Sequence, residues 1–264
     1  MCIAYLAIRA HPEWPLFIAA NRDEFHARPC MAAAPWPGRP DILGGIDCQG
    51  QGSWLGVTRQ GRYALITNYR DPGRLIPGAP SRGELVSRYL RGTESPASYA
   101  LAVHAAGAAY NGFNLIVGDA EQACYVGNRT GDPGPRPLAA GRYVLSNHLL
   151  DTPWPKAERL RLSLNALPMD QLGTSLAPVF ALLKDGTPAQ DHALPRTGLS
   201  IERERLLSSP FIISSDYGTR CSTIVTLHAS GRALLSEVSY DESGLSTQRH
   251  DWPFTLDQRN ATRL

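Results

Sequence analysis

Residues 1–25 read MCIAYLAIRAHPEWPLFIAANRDEF, and this stretch decides the fold. It contains two short apolar runs, residues 2–8 and 15–20, separated by a polar segment. Continuous apolar runs of this length are typical of strands covered on both faces, and the short connection predicts a hairpin. The hairpin brings Cys2, at the free end of its first strand, close to the polar residues 21–24 that follow the second strand.

Cys2 is a candidate nucleophile because of its position. Methionine aminopeptidases act when the second residue is small, so removal of Met1 is expected and Cys2 would then begin the chain. The freed α-amine would have a pKa of about 7.7–8.0 and could act as the base for its own thiol. A nearby guanidinium would favour the thiolate. The alternative interpretation is a core cysteine on a buried strand.

The polar cluster Asn21-Arg22-Asp23-Glu24 directly follows the second apolar run. Alternation along a strand sends Asn21 and Asp23 to one face and Arg22 and Glu24 to the other. One of these pairs is expected to face inward, where charged groups need partners. In the alternative interpretation the cluster is a solvated turn, whose ion pair would contribute about 0–1 kcal/mol.

Two asparagines, Asn68 and Asn147, each end an apolar segment that predicts a strand. An amide donor directed at a developing oxyanion can be worth about 2.7–4 kcal/mol. The competing explanation is a turn or capping role, which asparagine often has. Arg220 begins a later strand and would place a guanidinium in the same cleft.

The rest of the chain alternates hairpins with helices. Residues 26–52 are rich in proline and glycine and are expected to form a long ordered loop, of the kind that usually carries function. Strands are predicted at 53–58, 63–69, 114–118, 123–127, 143–147, 211–214, 222–227, 233–240 and 246–252. Helices are predicted from a capping box at Ser81, and over 95–107, 154–167 and 175–184. This order predicts an α+β protein, antiparallel sheets between helix layers, in one domain over residues 1–264.

The composition is that of an ordinary globular protein, with 43% hydrophobic and 19% charged residues. The formal net charge is +2, and no basic run indicates nucleic-acid binding. Five cysteines without a regular spacing argue against a disulfide framework and for a reducing compartment. We expect a cytoplasmic protein with no signal peptide, no membrane span and no metal site.

Several motifs, in chain order, resemble the NRDE family, which is the family of the Transport and Golgi Organisation 2 protein. They include Met1-Cys2-Ile3, Ala20-Asn21-Arg22-Asp23-Glu24-Phe25, Gly52-Ser53-Trp54-Leu55-Gly56-Val57, Thr67-Asn68-Tyr69-Arg70, Leu145-Ser146-Asn147, Thr152-Pro153-Trp154-Pro155-Lys156 and Tyr217-Gly218-Thr219-Arg220-Cys221. The resemblance implies a four-layer αββα fold like that of N-terminal nucleophile hydrolases. A more distant likeness is to the penicillin V acylase and bile-salt hydrolase type. That type places Arg before Asn, whereas here Asn21 precedes Arg22.

The resemblance also implies roles for individual residues. The catalytic candidates are Cys2, Arg22, Asp23, Glu24, Asn68, Asn147 and Arg220. The substrate-binding candidates are Asn21, Trp54 and Tyr69. In this scheme Cys2 attacks, the two strand-end asparagines stabilise the oxyanion, and an Arg with an Asp or Glu orients the α-amine.

Two functions remain as hypotheses. In the first, the chain hydrolyses a small-molecule amide or thioester and requires no cofactor. In the second, it keeps the fold without the chemistry and binds haem or a long-chain acyl-CoA, as the family's links to haem trafficking and lipid handling imply. The chain has no Cys-Pro haem motif, so a haem ligand rests on the resemblance alone. The sequence leaves the oligomeric state open.

Overall fold

The computed structural model of the chain describes residues 2–257. Its strands are β1 (Cys2–Ile8), β2 (Leu16–Phe25), β3 (Cys30–Trp36), β4 (Arg39–Asp47), β5 (Leu55–Thr58), β6 (Tyr63–Asn68), β7 (Phe113–Gly118), β8 (Ala123–Gly127), β9 (Arg136–Pro137), β10 (Gly141–Leu145), β11 (Tyr217–Leu227), β12 (Arg232–Tyr240) and β13 (Ser246–Thr255). Its α-helices are α1 (Gly83–Arg91), α2 (Pro96–Ala106), α3 (Pro155–Asn165), α4 (Ala177–Leu183) and α5 (Ile201–Leu206). Short 3-10 helices lie at Pro72–Arg74, Gly107–Ala109, Met169–Gly173 and Asp191–Ala193.

The strands form two antiparallel sheets. The six-stranded sheet has the order β10-β1-β2-β11-β12-β13, and the seven-stranded sheet has the order β3-β4-β5-β6-β7-β8-β9. Helices α1 and α2 pack on the seven-stranded sheet, and α3 and α4 pack on the six-stranded sheet. The sheets face each other, so the layers run helix, sheet, sheet, helix. The predicted α+β class and the four-layer αββα arrangement are confirmed.

The β1–β2 hairpin lies within the six-stranded sheet, as residues 1–25 predict. Every residue of β1 is buried. Leu6 belongs to the core between the sheets, whereas its neighbour Tyr5 belongs to the core beneath α3 and α4. Burial on both faces explains why this strand is apolar along its whole length.

The expectation of a long loop over residues 26–52 is wrong, because β3 and β4 form a hairpin there. β3 is an edge strand of the seven-stranded sheet. Proline has no backbone N–H and is tolerated where a strand has no partner on one side. Pro35 lies on this edge strand, and Pro37 lies in the turn between β3 and β4. The prolines therefore mark an edge and a turn.

The strand predicted at residues 211–214 does not form. The ring of Phe211 packs 4.8 Å from that of Tyr240, in the core beneath the helices. The carbonyl of Ile212 accepts a hydrogen bond from the N–H of Thr219 at 2.8 Å. The apolar run therefore packs into the core with local backbone bonds, and the strand begins only at β11.

The helices predicted at 95–107, 154–167 and 175–184 are confirmed as α2, α3 and α4, with ends that differ by one or two residues. α1 begins at Gly83, and its N-cap residue makes no side-chain capping bond, so the capping box predicted at Ser81 does not form. The sequence does not predict α5, because a six-residue helix is too short to show a hydrophobic period.

One backbone position of β3 joins the two sheets. A bulge between Met31 and Ala34 takes Ala33 out of the ladder. The N–H of Ala33 donates to Oε1 of Glu237 at 2.7 Å, and its carbonyl accepts from Nε1 of Trp252 at 2.7 Å. These partners lie on β12 and β13, so the facing sheet satisfies backbone groups that the edge strand would otherwise leave unpaired.

The five cysteines are all free, as expected. Within residues 2–257, none of the helices has the length and apolar character needed to cross a membrane. His11, Glu13 and Asp170 hold potential metal-ligating atoms within 4.8 Å of one another. Both carboxylates are exposed, and surface groups of this kind commonly occur without a metal.

Candidate active site

A cavity of about 680 Å³ lies beside the start of β1. One wall comes from the ends of β1, β2 and β11. The facing wall comes from the end of β6, the segment 69–83 and α5. The candidate residues that line this cavity are Cys2, Arg22, Asp23, Glu24, Trp54, Asn68 and Tyr69.

Cys2 lies opposite Arg22 in the β1–β2 ladder, and Arg22 lies opposite Cys221 of β11. Only 7% of the Cys2 surface is exposed. Burial raises the pKa of the Cys2 thiol, while the guanidinium of Arg22 and the N–H of Asp23 act to lower it. The thiol is therefore protonated at neutral pH, and a nucleophilic attack by Cys2 needs a base.

Arg22 is a buried guanidinium with one unused donor. Its Nη2 donates to Oδ2 of Asp47 at 3.1 Å, and the same oxygen accepts from Nε of Arg28 at 2.6 Å. Nη1 is buried and has no hydrogen-bond partner among the described residues. A buried charged donor without a partner is costly, so the site favours a ligand that brings an acceptor to this atom.

Asp23 is a carboxyl group in the wall of the cavity, with 1% of its surface exposed. Its Oδ1 accepts from Oγ1 of Thr219 at 2.8 Å. Burial raises the pKa of Asp23, and the positive charge of Lys156 opposes this shift. Because a nearby positive charge favours the ionised form, a cation placed beside Asp23 would hold it as a carboxylate.

Lys156 is a functional candidate that the sequence reasoning missed. It is the second residue of α3, and 1% of its surface is exposed. Burial and the charge of Arg70 lower the pKa of Lys156 to about 8, while Asp23 and Cys2 act to raise it. A usable signal was present in the sequence, since Lys156 is one of two lysines in a chain that otherwise uses arginine.

The two strand-end asparagines meet at the point where the two sheets come together. Nδ2 of Asn147 donates to Oδ1 of Asn68 at 3.1 Å and to its backbone carbonyl at 3.2 Å. Oδ1 of Asn147 accepts from Nζ of Lys156 at 3.0 Å. Asn147 is completely buried and does not line the cavity, whereas Asn68 is partly exposed and does. The two predicted oxyanion donors are thus hydrogen-bonded to each other, and of the two only Asn68 lines the cavity.

Asn21 is a candidate that lies outside the cavity. Its Nδ2 donates to the carbonyls of Leu183 and Pro210 at 2.8 and 2.9 Å, and its Oδ1 accepts from Ser222 at 2.6 Å. Asn21 is completely buried, and all these partners belong to the protein. The side chain thus joins β2 to the helix layer and is not available to a substrate.

Arg220 also lies outside the cavity. It sits at a bulge in β11 and donates to the carbonyls of Phe25, His26 and Arg28 at 3.0, 2.8 and 3.4 Å. It lines a second, smaller cavity of about 300 Å³. In this position Arg220 holds the turn that follows β2, and Arg22 is the arginine next to Cys2.

The remaining candidates, Glu24, Trp54 and Tyr69, also line the cavity. Glu24 lies 3.8 Å from Nε of Arg28, so it contributes to a partly exposed ion pair. Trp54 is buried and lines both cavities. The ring of Tyr69 lies 4.9 Å from that of His148. These three residues give the cavity both charged and aromatic surface.

Two further arginines of the cavity wall were not singled out by the sequence. Nη1 of Arg82 donates to the carbonyl of Gly112 at 3.0 Å, and the guanidinium of Arg203 lies 5.1 Å from the ring of Tyr217. Within residues 2–257, neither arginine has an acidic partner within 4 Å. Their positive charge is therefore available to a ligand.

Known structures show a distant likeness over most of the chain. One is a mutant conjugated bile acid hydrolase from Clostridium perfringens, with a TM-score of 0.45 and 12% identity, covering 96% of this chain and 92% of that one. Another is the Caenorhabditis elegans ortholog of N-acylethanolamine-hydrolyzing acid amidase, with a TM-score of 0.45 and 11% identity, covering 84% and 92%. At these scores the likeness assigns no role to any residue of this chain.

Sequence comparison is far more specific. The chain is 38% identical over 276 residues to the Transport and Golgi organization protein 2 homolog of Bos taurus, covering 96% of this chain and 99% of the relative. It is 37% identical over 278 residues to the human homolog, covering 97% and 99%. The family model for Transport and Golgi organisation 2 matches residues 1–242. The chain therefore belongs to the Transport and Golgi organisation 2 family.

Proposed function

We propose that the chain hydrolyses an amide or thioester of a small molecule, with Cys2 as the nucleophile once Met1 has been removed. Met1 itself lies outside the described residues. The observation that carries the proposal is the lining of the larger cavity. There a thiol, a buried carboxyl group, a guanidinium with an unused donor and an amide meet, contributed by Cys2, Asp23, Arg22 and Asn68.

The reaction would begin with transfer of the thiol proton to the α-amine of Cys2. Sγ would then attack the carbonyl carbon, and the NH₂ group of Asn68 would donate to the oxyanion. The ammonium would return its proton to the leaving amine or thiol as the C–N or C–S bond breaks. Water would then cleave the S-acyl intermediate, with the amine accepting a proton from the water, and release a carboxylic acid.

Asp23 and Arg22 support the two charges that this reaction creates. The buried carboxyl group of Asp23 is suited to hold the α-ammonium, because a carboxylate in a site with little water binds a cation strongly. Arg22 lies directly opposite Cys2 and favours the thiolate. Of the residues that the sequence left as alternatives, Asp23 and Arg22 are thus favoured over Glu24 and Arg220.

The first test is the state and reactivity of the N-terminus. In a background where the exposed Cys30 and Cys48 are changed to serine, intact-mass analysis should show loss of Met1. Iodoacetamide should then modify one site rapidly, and Cys2→Ala should abolish this modification. Cys221→Ala is the matched control, because it removes a buried cysteine and should leave the rapid labelling intact. Retention of Met1, or labelling of Cys2 no faster than that of Cys221, would refute the proposal.

A second candidate function is non-catalytic binding of a long-chain acyl-CoA. The observation that favours it is the combination of unpaired charge and apolar surface in the same cavity. Arg82 and Arg203 are suited to phosphate groups. Leu75, Leu199 and Leu207 line the same wall and are suited to an acyl chain.

Thermal unfolding with palmitoyl-CoA tests this second function. The ligand should raise the melting temperature of Cys2→Ala as much as that of the unmodified protein. The double variant R82Q/R203Q should lose most of the shift, whereas R39Q, at a surface ion pair with Asp41, should keep it. Absence of any shift in the unmodified protein would eliminate this candidate.

Haem does not fit the cavity lining. Among its lining residues within the described chain there is no histidine and no methionine. The remaining potential iron ligands are Cys2, Tyr69 and Tyr217. Burial raises the pKa of all three, which disfavours the anionic forms that bind iron. We therefore derive no haem function from this site.

A further inference from the structure

We infer that Lys156 is a positioning residue that sets the direction of both strand-end amides, so that Asn68 and not Asn147 presents its NH₂ group to the cavity. The inference rests on the proposed hydrolase function, because it concerns the oxyanion formed in that reaction. It assigns a role to a buried side chain that does not touch the substrate.

The direction of the Asn147 amide follows from the chemistry of lysine. An ammonium group has only donors, so the atom facing Nζ of Lys156 must be an acceptor. Asn147 therefore turns its carbonyl oxygen to Lys156, at 3.0 Å, and its NH₂ group away from it. The backbone carbonyl of Asn68, 3.2 Å from Nδ2, agrees with this direction.

The direction of the Asn68 amide follows in turn. Because Asn147 presents its NH₂ group, Asn68 must present its oxygen, and the two atoms are 3.1 Å apart. The NH₂ group of Asn68 then makes no hydrogen bond within the described chain, although Asn68 lines the cavity. The NH₂ group of Asn147 donates to Asn68, so the NH₂ group of Asn68 is the one in this pair that is available to the oxyanion.

Lys156 is held in place by the groups packed around it. It enters the site from the first turn of α3, and the charged or titratable groups that act on it are Arg70, Asp23, Cys2 and Glu204. Within the described chain, its buried ammonium donates a hydrogen bond to Oδ1 of Asn147. Without Lys156, the oxygen of Asn147 would keep only the longer hydrogen bond from Oγ of Ser146, at 3.4 Å, and the amide would be held less firmly in this direction. A reversed pair would present the carbonyl of Asn68 to the cavity, where it would repel the oxyanion.

Two reagents separate this role from a structural one. p-Nitrophenyl acetate acylates a thiol through an oxyanion, as the C–O bond to p-nitrophenolate breaks and the S–C bond forms. Iodoacetamide alkylates the same thiol by displacing iodide and forms no oxyanion. K156M should slow the p-nitrophenolate burst at least about tenfold, since a misplaced donor loses much of its effect. K156M also removes a positive charge that acts on Cys2, so it should slow the alkylation of Cys2 much less than acylation, and K184M, at the other lysine, should change neither rate.

The double variant tests whether Lys156 acts through Asn68. N68A should slow acylation about 100-fold, as loss of an oxyanion donor does. K156M/N68A should be no slower than N68A alone, whereas a purely structural role would add its effect. N147D, which replaces the donor of Asn147 by an oxygen, should slow acylation as much as N68A, because Asn68 must then turn its NH₂ group inward.

The outcomes distinguish a failure of the hydrolase function from a failure of the role of Lys156. If the unmodified protein shows no burst that depends on Cys2, the proposed hydrolase function fails. If the burst is present but K156M or N147D acylates at the unmodified rate, the hydrolase function stands and the role of Lys156 is overturned. An additive loss in K156M/N68A would likewise overturn it.

Discussion

Three ionisable side chains around Cys2 are almost completely withdrawn from water. Arg22 is 7% exposed, and Asp23 and Lys156 are each 1% exposed. Burial of such groups costs stability unless partners compensate it, and Nη1 of Arg22 has none among the described residues. These residues are therefore expected to lower the stability of the protein and to be kept for their chemistry.

The contribution of the buried Lys156 to the free energy of unfolding depends on pH. Its pKa is about 8 in the folded protein and near the ordinary value of 10.5 when unfolded. Between these values the unfolded chain binds the additional proton, so the stability of the unmodified protein rises with pH through this window. Below pH 8 the lysine is charged in both states, and its burial costs about 3 kcal/mol.

K156M should therefore be more stable than the unmodified protein at pH 7, since an apolar group replaces a buried charge. This advantage should shrink as the pH rises from 8 to 10. Urea unfolding at several pH values measures it directly. K184M, at the exposed Lys184, serves as the control and should not show this trend. Parallel stability curves for K156M and the unmodified protein would contradict the expected charge state.

At the scale of elements, the edge strand β3 is the least predictable part of the fold. Its sequence contains Pro35 and is followed by Pro37, and these residues indicate a loop when only local preferences are considered. The strand forms because its other side pairs with β4 and because Ala33 bonds to the facing sheet. The contacts with the facing sheet join residues 204 and 219 positions apart, so the local preferences around the prolines do not record them.

The amide of Ala33 should report this contact between the sheets. Glu237→Ala removes the acceptor of its N–H and also that of Thr223. Hydrogen exchange at Ala33 should then become much faster, and the protein should lose about 1.5–3 kcal/mol of stability. Amides of β1 provide the internal reference for global opening, and E242A, at an exposed turn residue, is the matched control. Equal rates of hydrogen exchange at Ala33 in E237A and the unmodified protein would show that this hydrogen bond does not hold the two sheets together.

Three helices, in contrast to β3, are predictable from the local sequence. α2, α3 and α4 are predicted within two residues because each presents a long enough apolar pattern or a proline at its start. α5 lacks such a pattern, and it is held instead by a buried ion pair between Glu204 and Arg70, with 2.5 Å between Oε2 and Nη1. A pair separated by 134 positions leaves no local signal.

At the scale of the whole molecule, the larger cavity exists only because the two sheets meet. Cys2 and Arg22 come from the six-stranded sheet, and Asn68 comes from the end of a strand in the other. Thr67 donates to the carbonyl of Ser146 at 2.6 Å, which joins the ends of the two sheets next to Asn68. The cavity is therefore a property of the packed layers and of no single element.

This dependence on packing explains which parts of the site the sequence predicts. The β1–β2 hairpin is encoded locally, so the placement of Cys2 beside Arg22 and Asp23 follows from the pattern of residues 1–25. The side of the sheet on which Asn21 lies, and the approach of Lys156 to Asn147, depend on how α3 and α4 dock. Docking of this kind brings together residues far apart in the chain, and short-range patterns do not record it.

The position of Cys2 in a strand separates the nucleophile from the part of the cavity wall that could be varied to accept other substrates. Cys2 pairs with Arg22 in the ladder between β1 and β2, so the reacting atom is carried by a strand of the six-stranded sheet. Much of the facing wall consists of the segment 69–80, which lies outside the sheets. Libraries that vary this segment alone would change the shape offered to a ligand while leaving the nucleophile and its neighbours in register.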